Sequence, residues 1–395
     1  MRRMGFVLVL ATLLGACGLK APNISAYISP CPSPGLADAT DRAEIFFVSS
    51  ALRDCRDGDL KLSGYRFTEG TFGHALYDND PNLETVEPES SEADEATWEE
   101  TLRERIAEDK RKNNRTQSKL TVVIHGFNNS FEEAVNLAAK VAREDEDGVP
   151  LVLLHWPSRG FGVSYTFDEA TAAWSQELIN QRLARLTTMV DDITIVAHSM
   201  GSRLAVNGVI ALDRISLNTQ KGDEGLKVEP GKIRRIVLAS ADIDRHLVLR
   251  EGGSVDLLLS PGKWDRKVAV YASYRDVPIN LSRRVHAFER LGSTSCKYDV
   301  IYDRRPLGKD GNCHQAKDRP GLFLVSTSRV KNVGPFKHND FVLSCRSRAH
   351  FRAFLRGKAA LPYQAKLGVE GSDRFGYEID PLMDAQNENC PTEER

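Results

Sequence analysis

Short apolar runs separated by stretches of helical period organise this chain. Leu120–Ile124, Leu151–Leu154, Ile193–Ala197, Arg235–Ala239, Val268–Ala272 and Leu322–Val325 are rich in Leu or β-branched residues and do not alternate with polar ones. Strands buried on both faces of a parallel sheet read this way. An earlier run, Glu44-Ile45-Phe46-Phe47-Val48, is also strand-like. Between the first two runs, Ser130-Phe131-Glu132-Glu133 is a capping box. Ala134, Leu137, Ala138 and Val141 then fall at i, i+3, i+4 and i+7, and Gly148 with Pro150 supplies the stop signal. Strand–helix–strand alternation predicts right-handed crossovers and an α/β fold, a mostly parallel doubly wound sheet with helices on both faces.

The N-terminus departs from this pattern. Arg2 and Arg3 precede an apolar stretch, Phe6–Leu14, of signal-peptide length. The stretch closes on Leu14-Gly15-Ala16-Cys17, which resembles the bacterial lipobox. The expectation is a signal peptide at 1–16, cleavage after Ala16 and lipidation of Cys17. Residues 17–42, rich in Pro, Ser and Ala, would be the anchor and tether. Gly18 follows the cysteine where an Asp would suggest inner-membrane retention. A lipid-anchored protein of a Gram-negative-type envelope, at the outer membrane and facing the periplasm, is therefore expected. The main domain is expected over 43–360, with an acidic insertion at 76–118 and a C-terminal tail at 361–395. From Asp78 to Glu100 there are ten acidic residues and no basic one, followed by a mixed-charge stretch, Arg103–Lys112, which together read as a solvated insertion with a charged helix.

Composition narrows the function classes. Lys and Arg total 53 against 55 Asp and Glu in 395 residues, which excludes the basic stripe of a nucleic-acid binder. Seven cysteines leave six if Cys17 carries lipid, enough for up to three disulfides. Cys296 with Cys313 and Cys31 with Cys55 are the nearest pairs in sequence; free buried thiols are the alternative. No His or Cys cluster at ligand spacing implies a metal, and no cofactor is implied.

The sharpest chemical signal is Ile193-Thr194-Ile195-Val196-Ala197-His198-Ser199-Met200-Gly201. A buried strand runs into small-x-Ser-x-Gly and then a helical pattern, the strand-to-helix turn that exposes a nucleophilic serine. Ala197 stands where the first Gly is usual and is small enough to fit. The backbone N–H of Met200 would sit at a helix N-terminus, suited to hold an oxyanion. A second strand ends in His125-Gly126-Phe127-Asn128-Asn129 before the capped helix, offering the N–H of Phe127 as the other donor. His125 in that loop suits a structural role, and Asn128 or Asn129 suits either turn formation or the pocket.

Together these stretches, with LLHWPSRGFGVSY and VAVYASYRDVPINLSRRVH, resemble the α/β-hydrolase superfamily, specifically its uncharacterised bacterial esterase/lipase-like family of unknown function. The resemblance implies an α/β-hydrolase fold and a triad in the chain order Ser, acid, His. It puts the acid at Asp276 after the Val268–Ala272 strand, with Asp242 and Asp244 as rivals. Four histidines lie beyond Asp276: His286, His314, His338 and His350. His338 falls after the final strand, where the base is needed. The pocket is expected to draw on His125, Asn128, Trp156, Arg159 and His198, with Ala170–Arg185 and Ser216–Lys232 as further walls; loop packing is the other role that suits Trp156 and Arg159. The implied activity is hydrolysis of carboxylic esters or lipids at the envelope through an acyl-enzyme. The same triad serves amidases and acyltransferases, and a non-catalytic lipoprotein keeping the scaffold for binding is the reading of a different class.

Overall fold

In a computed structural model of the protein, the described residues are 42–55, 60–80, 85–158, 165–219, 227–260, 262–294, 319–330, 336–366, 376–380 and 390. Cys17, Cys31, Arg159, Cys296, Cys313 and His314 lie outside them. In chain order the strands are β1 (Arg42–Asp54), β2 (Lys61–Asp78), β3 (Glu89–Ala93), β4 (Lys119–Ile124), β5 (Leu151–His155), β6 (Asp192–His198), β7 (Ile233–Ala239), β8 (Lys267–Ala272), β9 (Leu322–Ser326), β10 (Gln364–Lys366) and β11 (Tyr377–Ile379). The helices are α1 (Glu95–Lys112), α2 (Phe131–Glu144), α3 (Tyr165–Thr187), α4 (Gly201–Thr219), α5 (Arg245–Leu249), α6 (Ser254–Leu259), α7 (Val277–His286), α8 (Asp340–Leu343) and α9 (Cys345–Leu355).

Each of the seven strand-like runs from Glu44–Val48 to Leu322–Val325 is a strand, and all lie in one sheet of order β10-β11-β9-β8-β7-β6-β4-β5-β1-β2-β3. From β1 through β5, β4, β6, β7 and β8 to β9 the pairing is parallel. Because side chains alternate across a strand, each run feeds two cores. Val122, Ile124, Ile195, Ala197, Leu238 and Val270 pack on one face with residues of α1, α3 and α4. Val123, Val196, Val237, Ala269 and Tyr271 pack on the other with residues of α2, α8 and α9.

The capping box forms as expected: Ser130 Oγ accepts from the N–H of Glu133, whose carboxylate accepts from the N–H of Ser130. Helix α2 ends at Glu144, before Gly148, because the Asp145 side chain turns inward to Thr121 and to the N–H of Glu146. Burial outweighs this hydrogen bonding and raises the Asp145 pKa.

Two boundaries differ from expectation. The acidic segment is no solvated insertion: β3 pairs with β2, and α1 buries Trp98, Leu102 and Ile106. Its carboxylates meet arginines distant in sequence, Glu89 with Arg42, Glu92 with Arg53, Glu95 with Arg182 and Glu99 with Arg185. Glu99 also has a local base, Arg103 one turn further along the helix. Nor do the described residues of 361–395 read as a tail. β11 pairs parallel to β9, β10 pairs antiparallel to β11, and a disulfide joins Cys390 to Cys345 on α9, 45 residues apart. Cys55 is also disulfide-bonded. The Cys345–Cys390 bridge was not among the expected pairs, because proximity in sequence says nothing about where β10 and β11 return the chain.

Candidate active site

The C-terminal ends of β4, β6, β7, β8 and β9 are level, since Ile124 pairs with Ala197, His198 with Ala239, Ala239 with Tyr271, and Ala272 with Ser326. The loops leaving these ends share one edge of the sheet. Four of the eight non-glycine residues with positive φ among the described residues lie in them: Asn128, Ser199, Ser240 and Lys337. Backbone in that region costs on the order of 1 kcal/mol or more per residue and gathers where function demands a particular turn.

Ser199, with φ +50°, is the hinge between β6 and α4. Its N–H donates to the Ala239 carbonyl at 2.9 Å, and its own carbonyl accepts from the N–H of Asp242 at 3.0 Å and of Ser202 at 3.1 Å. The turn is therefore fixed from both sides. Two glycines make it sterically feasible. A Cβ on Gly201 would stand 2.3 Å from the His125 carbonyl oxygen, so only glycine lets α4 start this close to the end of β4. A Cβ on Gly126 would stand 2.7 Å from Ser199 Cβ, so the loop after β4 runs directly beside the serine. Among the described residues the backbone N–H groups of Phe127 and Met200 donate to no acceptor. Both flank Ser199, and Met200 precedes the first residue of α4, where orphan donors and the helix dipole favour negative charge. Ser199 Oγ makes no hydrogen bond to a described residue, a state common before substrate is bound.

Asp276 follows β8 and is wholly buried. It has two tasks. Its Oδ1 accepts from the N–H of Ile279 at 3.0 Å, capping α7. Both carboxylate oxygens also lie against His338 Nδ1, at 3.0 and 2.9 Å. A carboxylate only accepts, so Nδ1 carries the proton and Nε2 is left as the basic nitrogen. The His338 backbone is held as firmly: its carbonyl accepts from Ser240 Oγ at 2.8 Å and His198 Nε2 at 3.1 Å. Next to it Lys337, at φ +54°, turns its ammonium inward to within 3.4 Å of Asp340.

The rival residues are engaged elsewhere. Asp242 is 2% exposed and accepts from Ser282 Oγ at 2.6 Å, from the Tyr165 hydroxyl and from Arg203 Nη2 at 3.3 Å. Arg290 Nε lies 3.1 Å away. Burial pushes the Asp242 carboxyl up, but the guanidiniums of Arg203 and Arg290 outweigh it and hold the group below the usual range. Burial and the same carboxylate raise the Tyr165 phenol, which stays neutral. Asp244 caps α5 through the N–H of Leu247. His286 faces the Ser282 carbonyl and Glu169, and His350 is buried between Tyr271 and Gln364.

Of the expected pocket residues, His125 and Trp156 line no pocket and take instead the structural and loop-packing roles that the sequence also suggested. Both are wholly buried and stacked, with ring centroids 5.0 Å apart. The His125 ring is satisfied by the Gly126 carbonyl at 2.9 Å and the backbone of Trp156, whose indole N–H donates to the His125 carbonyl at 3.0 Å. Burial lowers the His125 pKa to about 4, so the ring is a neutral brace for the Phe127 loop and no pocket wall. His198 is also buried. Burial and the neighbouring His338 hold its pKa well below the usual value, and its Nδ1 lacks a partner among the described residues. Asn128, at φ +59°, is partly exposed. The described residues of Ser216–Lys232 lie elsewhere: Ser216, Val228, Gly231 and Lys232 line, with Trp264, a cleft of about 440 Å³ near the starts of β7 and β8, the opposite end of the sheet.

Sequence reasoning missed the Tyr165–Asp242–Arg203–Ser282–Arg290 cluster and the roles of Ser240 and His198. Arg203 was visible four residues after Ser199, but nothing local marked its partners.

A family model described as "Alpha/beta hydrolase of unknown function (DUF900)" matches residues 96–312. The matched stretch holds Ser199 and Asp276 and ends before His338. No curated protein matches. Among solved structures, the chain is similar to a lipase/esterase from Lactobacillus plantarum at 15% identity, covering 43% of this chain and 77% of that one with a TM-score of 0.27. It is also similar to a Pyrobaculum calidifontis esterase at 15% identity, covering 39% of this chain and 57% of that one with a TM-score of 0.19.

Proposed function

The chain belongs to the alpha/beta-hydrolase family of unknown function whose model it matches, and from that premise we propose that it is a serine hydrolase cleaving carboxylic esters through Ser199, Asp276 and His338. The observation that carries the reading is the buried Asp276 carboxylate against His338 Nδ1 at 2.9 Å, on the sheet edge where the turn at Ser199 also ends. In this mechanism His338 Nε2 takes the proton from Ser199 Oγ as the oxygen attacks the ester carbonyl. Asp276 keeps Nδ1 protonated and balances the imidazolium that forms. The N–H groups of Phe127 and Met200 receive the developing oxyanion, each worth on the order of 10²–10³ in rate. His338 returns the proton to the departing alcohol, and then activates the water that releases the acid from Ser199.

Asn128 and Arg159 are proposed to contact the substrate beyond the scissile bond. Lipidation at Cys17 would place the enzyme on the envelope, facing the periplasm; mass spectrometry of the mature N-terminus tests that part. Labelling by a fluorophosphonate probe tests the chemistry. The wild type is expected to label, and Ser199→Ala and His338→Ala are not. A folded wild type that does not label would overturn the assignment.

A further inference from the structure

The helix that Asp276 caps carries a second feature that ester chemistry alone does not require. Among the described residues the four most exposed large hydrophobic side chains are Leu281 and Val285 at 59%, Phe336 at 54% and Val277 at 51%. They form one patch. Val277, Leu281 and Val285 follow one another at i, i+4 and i+8 on α7, a stripe about 12 Å long at 1.5 Å per residue. The N–H of Val277 donates to the Phe336 carbonyl at 3.1 Å, which brings Phe336 to the start of the stripe. Tyr274 is exposed at the same end. The opposite face of α7 is locked down by buried Ile279, Ser282 and Arg283, so the stripe is a fixed outward face.

Charge indicates what this face meets. Arg275 and Arg284 are exposed and have no ion-pair partner among the described residues. Between Tyr274 and Ala287 the single acid is Asp276, which is wholly buried. An aliphatic stripe with unpaired arginines beside it and no exposed carboxylate in its own segment, the nearest being Glu169 against His286 and Arg203, is the composition of a helix that lies in a lipid interface and is drawn to anionic headgroups. We propose that this face of α7, with Tyr274 and Phe336, docks the protein on an anionic phospholipid surface, so that ester-bearing lipids are presented at Asp276, His338 and Ser199. The substrate part rests on the ester-hydrolase reading; the docking part does not.

The test is cosedimentation of the mature chain expected after cleavage, residues 17–395, carrying Cys17→Ser so that neither the apolar leader nor an acyl group contributes. The vesicles are phosphatidylcholine alone, or phosphatidylcholine mixed equally with phosphatidylglycerol. Leu281→Ser with Val285→Ser is expected to weaken partition onto the mixed vesicles by about tenfold or more. Arg275→Glu with Arg284→Glu is expected to remove the preference for the mixed vesicles. Thermal melting of each variant checks the fold, which more than half-exposed positions should leave intact. Ser199→Ala is expected to bind as the parent does, so a failed nucleophile assignment and a failed docking surface give different results. Unchanged partition in both double variants would overturn the proposal. So would a change from dimer to monomer on Leu281→Ser with Val285→Ser without loss of vesicle binding, since the stripe would then cover a second copy of the chain.

Discussion

Asp276 and Asp242 are both buried carboxylates after neighbouring strands, and replacing each by its amide separates a catalytic role from a structural one. In Asp276→Asn the side-chain oxygen can still accept from the N–H of Ile279, now at 3.0 Å. Asn and Asp cap helices about equally, so stability should change by only a few tenths of a kcal/mol. What is lost is the charge facing His338 Nδ1 at 2.9 and 3.0 Å, and with it the tautomer that leaves Nε2 basic. Removing that charge from a working triad costs on the order of 10⁴ in turnover, equivalent to about 5 kcal/mol of barrier. Asp242→Asn should do the reverse. It strips the counter-charge from Arg290, whose side chain is 5% exposed, and from Arg203. Breaking a buried pair costs roughly 3–5 kcal/mol; the lower end applies here, because Arg203 keeps Glu169 and is one-fifth exposed. The assay is hydrolysis of a short p-nitrophenyl ester beside urea unfolding of the same preparations. If Asp276→Asn kept a third or more of wild-type turnover, or if folded Asp242→Asn lost as much activity as Asp276→Asn, the assignment of Asp276 would be refuted.

Three further outcomes are expected. Gly126→Ala puts a methyl where 2.7 Å separates it from Ser199 Cβ, so turnover should fall by roughly 10–10² with a smaller effect on melting, read from kcat beside a thermal scan. Ser199→Gly and Ser199→Ala both lack Oγ and should both be inactive, yet glycine relieves the φ of +50°, so urea unfolding should find it about 1 kcal/mol the more stable. Burial lowers the pKa of both His125 and His350 from 6.5 to about 4. Between those values the unfolded chain binds protons that the folded one refuses, so stability is full above about pH 6.5. It then falls as pH drops toward 4, by up to roughly 3 kcal/mol for each ring. NMR of the two rings at pH 5 should find them neutral in the folded protein, and protonated rings there would contradict the burial argument.

Much of the scaffold was readable along the chain because its determinants are local. Runs such as Val122-Val123-Ile124 and Ile193-Thr194-Ile195-Val196-Ala197 announce strands buried on both faces, since each residue must satisfy one core or the other. Ser130 and Glu133 announce the start of α2 because a capping box closes within four residues. The turn at Ser199 was legible for the same reason, as Gly201 and the small Ala197 are steric requirements of that one turn.

Only the tertiary structure decided matters that depend on chain segments far apart. It matched four of the ten acids of 78–100 with Arg42, Arg53, Arg182 and Arg185, and so turned an apparent insertion into the closing edge of the sheet. It returned Gln364–Lys366 and Tyr377–Ile379 to the opposite edge and brought Cys390 to Cys345. It set His338 against Asp276, 62 residues earlier, while committing Asp242 to two arginines and burying His125 and Trp156 as braces beneath the Phe127 loop. Local sequence fixes what a segment can be through periodicity and sterics. Which side chains meet depends on strand order and on the burial that comes with it, and neither is written within any one segment.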